Sequence, residues 1–138
     1  MPQTFERVTY ESLNARQKES YNFQKISGLL AEFGYVTIRL SDDWKGADFL
    51  AQHVGGETLR VQLKGRLTFQ KKYQGKDLWL CFRDDERWYL YPHDEVLKQV
   101  LATTNVANTD SWKTAESYSF PYLSQQMEAL LAPYRLET

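Results

Sequence analysis

The sequence predicts an α/β fold in which an N-terminal helix packs on a mixed central sheet and further helices follow at the C-terminus. An apolar pattern with helical spacing comes first, three runs rich in β-branched and aromatic residues follow, and a second strand pair precedes another helical segment. The 138 residues contain no linker rich in Gly, Pro or Ser, so we expect one domain over residues 1–138.

Residues 11–33 predict the first helix because they contain no Pro and carry an apolar stripe at helical spacing. The stripe consists of Phe23, Ile26, Leu29, Leu30 and Phe33. Gly34 then supplies a helix stop. Residues 35–40 are mostly β-branched and aromatic, which predicts a first strand that ends at the polar residues 41–43.

Residues 47–54 and 59–64 predict two further strands joined by a turn at Gly55-Gly56. Alternation along the later strand separates its side chains into two sets. The set expected to face the core is Leu59, Val61 and Leu63. The set expected on the opposite face is Arg60, Gln62 and Lys64. Asp48 of the neighbouring strand lies within reach of this second set.

Residues 78–82 and 88–91 predict another antiparallel strand pair, joined by the charged turn 83–87 and closed by Pro92. Residues 93–102 predict a helix, because acidic residues stand in its first turn, where the helix dipole favours negative charge.

The C-terminal part of the chain has weaker patterns. Residues 103–114 are polar and predict a surface loop. Residues 118–123 fit either a short strand or an extended lead-in. Residues 124–131 have a helical composition, and Pro133 ends that helix.

The composition is that of a soluble globular protein, with 42% hydrophobic residues and a net charge of -1. The absence of a signal peptide pattern and of a long apolar stretch predicts a cytoplasmic location. The single cysteine, Cys81, stands in an apolar run and predicts a buried structural thiol. His53 and His93 lack the companions of a zinc site, so we expect structural roles for both.

One stretch is strongly basic although the whole chain is nearly neutral. Residues 60–76 carry six basic side chains and no acidic one. Such segments are often merely solvated, but a position beside Lys64 favours contact with a phosphate backbone. The residues predicted to bind nucleic acid are Arg60, Arg66, Lys71, Lys72 and Lys76.

Asp48, Gln62 and Lys64 form a group that suits phosphodiester hydrolysis. A hard cation such as Mg²⁺ or Mn²⁺ prefers oxygen ligands, here the Asp48 carboxylate, the Gln62 side-chain carbonyl and the backbone carbonyl of Leu63. Lys64 would orient or deprotonate the attacking water and offset the charge of the transition state. Taken singly, Asp48 fits a turn cap and the other two fit the wet face of a sheet; their joint occurrence favours a catalytic site.

Asp48, thirteen residues, and then Gln62-Leu63-Lys64 on a hairpin after an N-terminal helix resembles the PD-(D/E)XK nuclease superfamily. The core of that superfamily has the order helix, three strands, helix, strand (αβββαβ). Residues 88–94 are also similar to the strand-to-helix segment of its group I intron homing endonucleases. The resemblance covers residues 11–100 and implies a restriction-endonuclease-like fold, with Asp48 and Gln62 as metal ligands and Lys64 as catalytic base or stabiliser.

Two positions depart from the family pattern, because Gly46-Ala47 precedes Asp48 in place of a proline and Gln62 replaces the usual acid. The first helix of related enzymes often supplies a Glu to the site, and two residues compete for that place. Asn22 is nearer to the position used by Holliday-junction resolvases, whereas Glu19 would restore a second carboxylate. We prefer Glu19 as the catalytic residue, with Asn22 and Gln24 as polar supports.

The residues and the resemblance together predict a Mg²⁺-dependent or Mn²⁺-dependent endonuclease that hydrolyses DNA phosphodiester bonds. A chain with one active site must form a homodimer or a higher homo-oligomer to cut both strands of a duplex. The alternative is a nuclease-fold module that binds nucleic acid, or regulates a partner, without cleavage. A subunit that only mediates protein contacts is a third possibility.

Overall fold

The computed structural model describes residues 4–44 and 46–137, and it has a mixed α/β architecture. The helices are α1 (Ala15–Glu32), α2 (His93–Thr103) and α3 (Gln125–Leu131). The large sheet contains β1 (Tyr35–Trp44), β2 (Ala47–His53), β3 (Thr58–Leu63), β5 (Leu78–Asp84), β6 (Arg87–Pro92) and β8 (Arg135–Leu136), in that spatial order. A separate two-stranded sheet pairs β4 (Thr68–Gln70) with β7 (Ser117–Ser119).

Most neighbouring strands of the large sheet are antiparallel, and β3 and β5 are parallel. The predicted strand boundaries of the β2–β3 and β5–β6 pairs are confirmed to within two residues. Gly56 adopts a φ of 106°, which a residue with a side chain rarely adopts, and this explains the glycine turn between β2 and β3. The hairpin predicted from Gly55-Gly56 is therefore confirmed.

Helix α1 begins later than predicted because a capping box starts it. The Asn14 side chain accepts a hydrogen bond from the Gln17 amide, and the Gln17 side chain accepts one from the Asn14 amide. Residues 10–12 form a separate 3₁₀ turn before it. Gly34, with a φ of 85°, follows the last turn as expected.

Strand β1 is longer than predicted. The polar residues 41–43 were expected to end it, but the strand continues to Trp44, with a shift in its pairing to β2 between Arg39 and Trp44. A local irregularity of this kind lets a strand continue through residues of low strand propensity, so composition alone misplaces its end.

Apolar side chains cover both faces of the large sheet. On one face, Ile26 and Leu30 of α1 pack with Phe49, Val61 and Cys81. On the other face, residues of α2 and α3 pack on the opposite side chains of β5 and β6; these are Leu80, Phe82, Tyr89, Tyr91, Val96, Leu97, Val100, Met127 and Leu131. The sheet therefore lies between α1 and the two later helices.

The segment between β3 and β5 differs from the order that the family resemblance implies. It contains β4 and one 3₁₀ turn, Lys71–Tyr73, at the place where the αβββαβ order has a helix. The Tyr91 hydroxyl donates to the Thr68 carbonyl at 2.7 Å and accepts from the Thr68 amide at 3.2 Å. These bonds and the pairing with β7 hold the basic segment against the sheet.

The predicted surface loop over residues 103–114 is more structured than expected. It contains a 3₁₀ turn, Val106–Asn108, and a π-helical turn, Ser111–Ala115, which bury Val106 and Trp112. Single apolar residues in a polar stretch have no period, so the sequence gives no sign of this burial. No helix within residues 4–44 and 46–137 is long and apolar enough to span a bilayer.

Candidate active site

Asp48 contacts the segment Gln62-Leu63-Lys64 directly. The β2–β3 pairing extends from Gln52–Thr58 to Phe49–Val61, and beyond that point the Leu63 amide donates to Asp48 Oδ2 at 2.9 Å. The carboxylate takes the place of a backbone acceptor where the two strands stop pairing. This contact brings together the two motifs that the sequence singles out.

Asp48 also lines an open cleft of about 560 Å³ between α1 and the start of β2. We call it the Asp48 cleft and define it by Arg16, Glu19, Arg39, Asp42, Asp48 and Leu63. Three carboxylates and two guanidinium groups thus surround one cavity. Asp42 reaches it because β1 continues past its predicted end at residue 40.

Arg39 is held in position on the wall of this cleft. Its Nη1 donates to the Ser20 hydroxyl at 3.1 Å, and its Cζ lies 5.3 Å from the centre of the Phe23 ring. Ring stacking and a hydrogen bond together fix the orientation of a guanidinium group, which is the side chain best suited to bind phosphate oxygens. The sequence gives no sign of this role for Arg39, because only the fold places it across from α1.

The two candidates on α1 have different environments. Glu19 is exposed and lines both the Asp48 cleft and a second pocket that contains Lys64. Asn22 lines only the second pocket, where its Nδ2 donates to the Tyr10 hydroxyl at 2.9 Å. Gln24 lines a different groove on the outer side of α1. Glu19 is thus the candidate that shares a cavity with Asp48.

Gln62 is not among the residues that line the Asp48 cleft. Its neighbour in the parallel pairing is Leu80, whose side chain belongs to the core beneath α2 and α3. The Gln62 Oε1 atom is buried and has no hydrogen-bond partner among the described residues. A buried oxygen acceptor of this kind is available to a donor or a cation.

Lys64 is positioned by an aromatic ring. Its Nζ lies 5.3 Å from the centre of the Tyr73 ring, and the Nζ of Lys72 lies 5.5 Å from the same ring. Tyr73 is 3% exposed and also borders Gly46, where an added Cβ would lie 3.7 Å from its Cδ1. The ring therefore stands between the start of β2 and the end of β3 and holds two ammonium groups there.

The other predicted nucleic-acid-binding residues are spread over a wider surface. Arg60 donates to the Lys76 carbonyl at 2.6 Å and lies 3.7 Å from Asp77, so part of its charge is balanced. Lys71 Nζ lies 5.3 Å from the Trp112 ring. Arg66 and Lys76 are exposed. Lys72 is the member of the basic run whose contacts place it beside Lys64.

A hard divalent cation is compatible with the donors around Asp48. Within the described part of the chain, no three His, Cys, Asp or Glu side chains lie close enough together to form a protein cage for a metal. Mg²⁺ usually keeps several waters and binds through one or two carboxylates plus substrate phosphates. Asp48, with Glu19 on the same cleft, fits that mode of binding.

Cys81 and His93 have the structural roles that the sequence predicts. Cys81 is fully buried, and burial raises the pKa of its thiol, so it is not a nucleophile at neutral pH. His93 is 1% exposed and accepts a hydrogen bond from the Gln70 amide. Neither residue lines the Asp48 cleft.

No protein-family model, curated protein or solved structure matches this chain.

Proposed function

We propose that the chain is a metal-dependent DNA endonuclease of the PD-(D/E)XK type, which hydrolyses phosphodiester bonds in the Asp48 cleft. The observation that carries the proposal is the contact of Asp48 with the Leu63 amide, one residue before Lys64. A carboxylate and an ammonium on adjoining strand ends, beside an open cleft, are the groups that metal-assisted phosphodiester hydrolysis requires.

The order of the first four elements also supports this assignment. Helix α1 precedes β1, β2 and β3, and it packs on the face of the sheet that carries Phe49 and Val61. The restriction-endonuclease-like core is the arrangement proposed for these elements. The β4 segment between β3 and β5 would then replace the helix of the family pattern.

A bound Mg²⁺ would polarise the scissile phosphate and lower the pKa of a coordinated water. Asp48 and Glu19 are the carboxylates proposed to hold it, with the Gln62 side-chain carbonyl and the Leu63 backbone carbonyl as neutral oxygen donors. Asp42 lines the same cleft and is available to bind through water. This set carries less negative charge than one with an acid in place of Gln62, so we expect a weak metal site.

Lys64 would act on the water and on the developing negative charge. The Tyr73 ring keeps its ammonium at the end of β3, so little entropy is lost when substrate binds. Lys72, on the same ring, adds a second positive charge for the phosphate backbone. Arg39 would bind a neighbouring phosphate from the opposite wall of the cleft.

The second candidate function is DNA binding without cleavage. Two observations favour it. Gln62 is the neighbour of Leu80, which belongs to the core beneath α2 and α3. Among the described residues, no three His, Cys, Asp or Glu side chains lie close enough together to hold one metal ion. On this alternative the basic residues bind phosphate, and the Asp48 carboxylate serves only to satisfy the Leu63 amide.

Plasmid nicking distinguishes the two candidates. Purified protein with Mg²⁺ or Mn²⁺ should convert supercoiled plasmid to the nicked form, and Lys64→Ala should reduce the rate by about 100-fold or more, the typical contribution of general acid–base catalysis. Lys98→Ala is the matched control, because Lys98 is exposed on α2 and lines none of the cavities described above. DNA binding without nicking by the wild type, or equal nicking by both variants, would exclude the endonuclease proposal.

A further inference from the structure

A second pocket adjoins the Asp48 cleft on the α1 face of the sheet. Its volume is about 450 Å³, and its wall includes Tyr10, Lys18, Asn22, Lys64, Arg83 and Trp88. We call it the Arg83 pocket. Glu19 and Leu63 line both cavities, so a molecule in one lies next to a molecule in the other. The volume falls within the range of natural small-molecule sites.

Flat aromatic and guanidinium groups form one side of the Arg83 pocket. The Arg83 Cζ lies 4.9 Å from the centre of the Tyr10 ring and 5.7 Å from that of Trp88. The guanidinium is thus held by two rings, and Trp88 is its cross-strand neighbour. Nucleic-acid bases stack on aromatic rings and on arginine planes in proteins that bind unpaired strands.

The charge of the pocket favours an anion. Lys18, Lys64 and Arg83 are its positive side chains, and Glu19 is its acidic one. The Lys18 Nζ lies 5.3 Å from the centre of the Tyr10 ring, so positive charge borders the aromatic surface. A nucleotide combines the two required features, since its base is flat and its phosphate is negative.

Asn22 offers a hydrogen-bonding group in the same wall. Its Nδ2 donates to the Tyr10 hydroxyl at 2.9 Å, while its Oδ1 is buried and has no partner among the described residues. A buried acceptor without a donor is unfavourable. The amino or imino groups on the edge of a base are donors of the kind that asparagine accepts in base recognition.

We propose that the Arg83 pocket binds an unpaired nucleotide of a DNA strand, next to the phosphate that is cut in the Asp48 cleft. The inference rests on the proposed function, because it places the nucleotide beside the scissile phosphate. A base inside a duplex is stacked and paired, so it enters such a pocket only after it leaves the helix. The preferred substrate is therefore DNA with a single-stranded segment, and intact duplex is the poorer ligand.

Fluorescence anisotropy in EDTA tests this inference without any cleavage. The probes are a labelled blunt duplex and the same duplex with a single-stranded extension. The wild type should bind the extended DNA about tenfold more tightly, which is within the contribution of one stacked base. Arg83→Gln and Tyr10→Leu should bring the ratio of the two affinities close to one. Arg87→Gln makes the same change at an exposed position of the same hairpin and should keep the preference.

Equal affinity of the wild type for both probes, or no binding of either, would overturn the inference. So would an unchanged preference in Arg83→Gln. Circular dichroism shows whether each variant is folded, and Tyr10→Leu decides the matter if Arg83→Gln is not, since Tyr10 lies outside both apolar cores. If the protein prefers the extended DNA but shows no metal-dependent nicking, the nucleotide site stands and the endonuclease proposal fails. If it nicks DNA without this preference, the endonuclease proposal stands and the nucleotide site fails.

Discussion

Gln62 holds a buried oxygen atom that has no hydrogen-bond partner among the described residues. An unpartnered buried acceptor typically costs about 1–3 kcal/mol. The residue alternates with Val61 and Leu63 on β3, so its direction is fixed by the burial of those neighbours. A metal bound by this oxygen would remove that free-energy cost. Glutamate at the same position would make the effect of the metal on stability measurable.

Gln62→Glu should lower the free energy of unfolding by at least about 1 kcal/mol in EDTA, because a carboxylate replaces an amide at a buried position. Millimolar Mg²⁺ should restore part of that loss, since the metal neutralises the new charge. Urea unfolding with and without Mg²⁺ measures both effects. Gln52→Glu, at an exposed site of β2, is the control. A Mg²⁺ response no larger than that of the control would argue against a metal at Gln62.

His93 is the buried group with the clearest consequence for pH dependence. The Gln70 amide donates to its Nε2 at 3.1 Å, so Nε2 carries no proton, and Nδ1 donates to Asp94 Oδ1 at 2.8 Å. Burial lowers the pKa of His93 from its ordinary value of 6.5, although Asp94 opposes the shift. Asp94 Oδ2 in turn accepts from the Gly75 amide at 2.8 Å, so this pair holds the basic segment at Gln70 and at Gly75.

The stability supplied by neutral His93 should be complete above pH 6.5 and should be lost as the pH falls below that value through the lowered pKa of the folded state. In that window the unfolded chain binds one more proton than the folded chain. The free energy of unfolding therefore falls by at most about 1.4 kcal/mol for each pH unit, from one histidine. Urea unfolding from pH 7 to pH 5 should show a steeper loss for the wild type than for His93→Gln. Equal slopes would exclude this role.

Single residues of the site differ in how far the sequence predicts them. Asp48 meets the end of β3 because a short hairpin joins their strands, and hairpin register follows from the turn and the alternation. The positions of Tyr73 and Asp42 depend on parts of the fold outside this hairpin. Tyr73 is placed by a segment that Tyr91 and β7 hold, and Asp42 by the continuation of β1. Local sequence patterns do not predict such contacts.

Among the elements, β2 depends on a glycine at its start. Gly46 has a φ of 89°, and a Cβ there would lie 2.7 Å from Leu78 Cδ1 on β5. The backbone conformation and the close contact both disfavour a side chain. Glycine is thus the residue best suited to this position of the fold.

Gly46→Ala should destabilise the protein by about 1–2 kcal/mol, from the left-handed backbone conformation and the contact with Leu78. Gly28→Ala is the matched control. Gly28 lies within α1 with nothing within 4 Å of an added Cβ, so alanine there should stabilise by about 0.5–1 kcal/mol. Thermal unfolding compares the two, and a stabilised Gly46→Ala would contradict the structure at the start of β2.

The predictability of the elements follows the length of their patterns. The strands β2, β3, β5 and β6 are apolar or alternating runs bounded by turn residues, and α2 has acidic residues in its first turn; their boundaries are nearly as predicted. The sequence does not predict β4 and β8, which have three and two residues. Elements this short exist because a partner strand is present, so no local signal specifies them.

For the whole molecule, the order of the sheet sets the position of the site. The parallel pairing of β3 and β5 requires the intervening chain to cross over the sheet, and this connection carries Lys72 and Tyr73 to the end of β3. The sequence predicts the elements in chain order but not this pairing, because it joins residues that are distant in sequence. The position of Tyr73 beside Lys64 depends on that same long-range pairing.

The proposed cleavage also concerns the assembly. Each chain offers one Asp48 cleft, so cutting both strands of a duplex needs two chains, and a homodimer stays a prediction. Edge strand β1 exposes Val36 and Ile38, which are 64% and 51% accessible. Apolar side chains on an unpaired edge favour pairing with a second strand.

The measurement that tests the central claim most directly is the Mg²⁺-dependent nicking rate of Asp48→Asn. Asparagine keeps an oxygen that accepts the Leu63 hydrogen bond, so the unfolding temperature should stay close to that of the wild type. The loss of the charge should reduce nicking by at least about 100-fold, since even residues that only support metal ligands change activity by 10–100-fold. A folded Asp48→Asn protein that nicks at the wild-type rate would contradict a metal site at Asp48. Nicking by the wild-type protein in EDTA would contradict it as well.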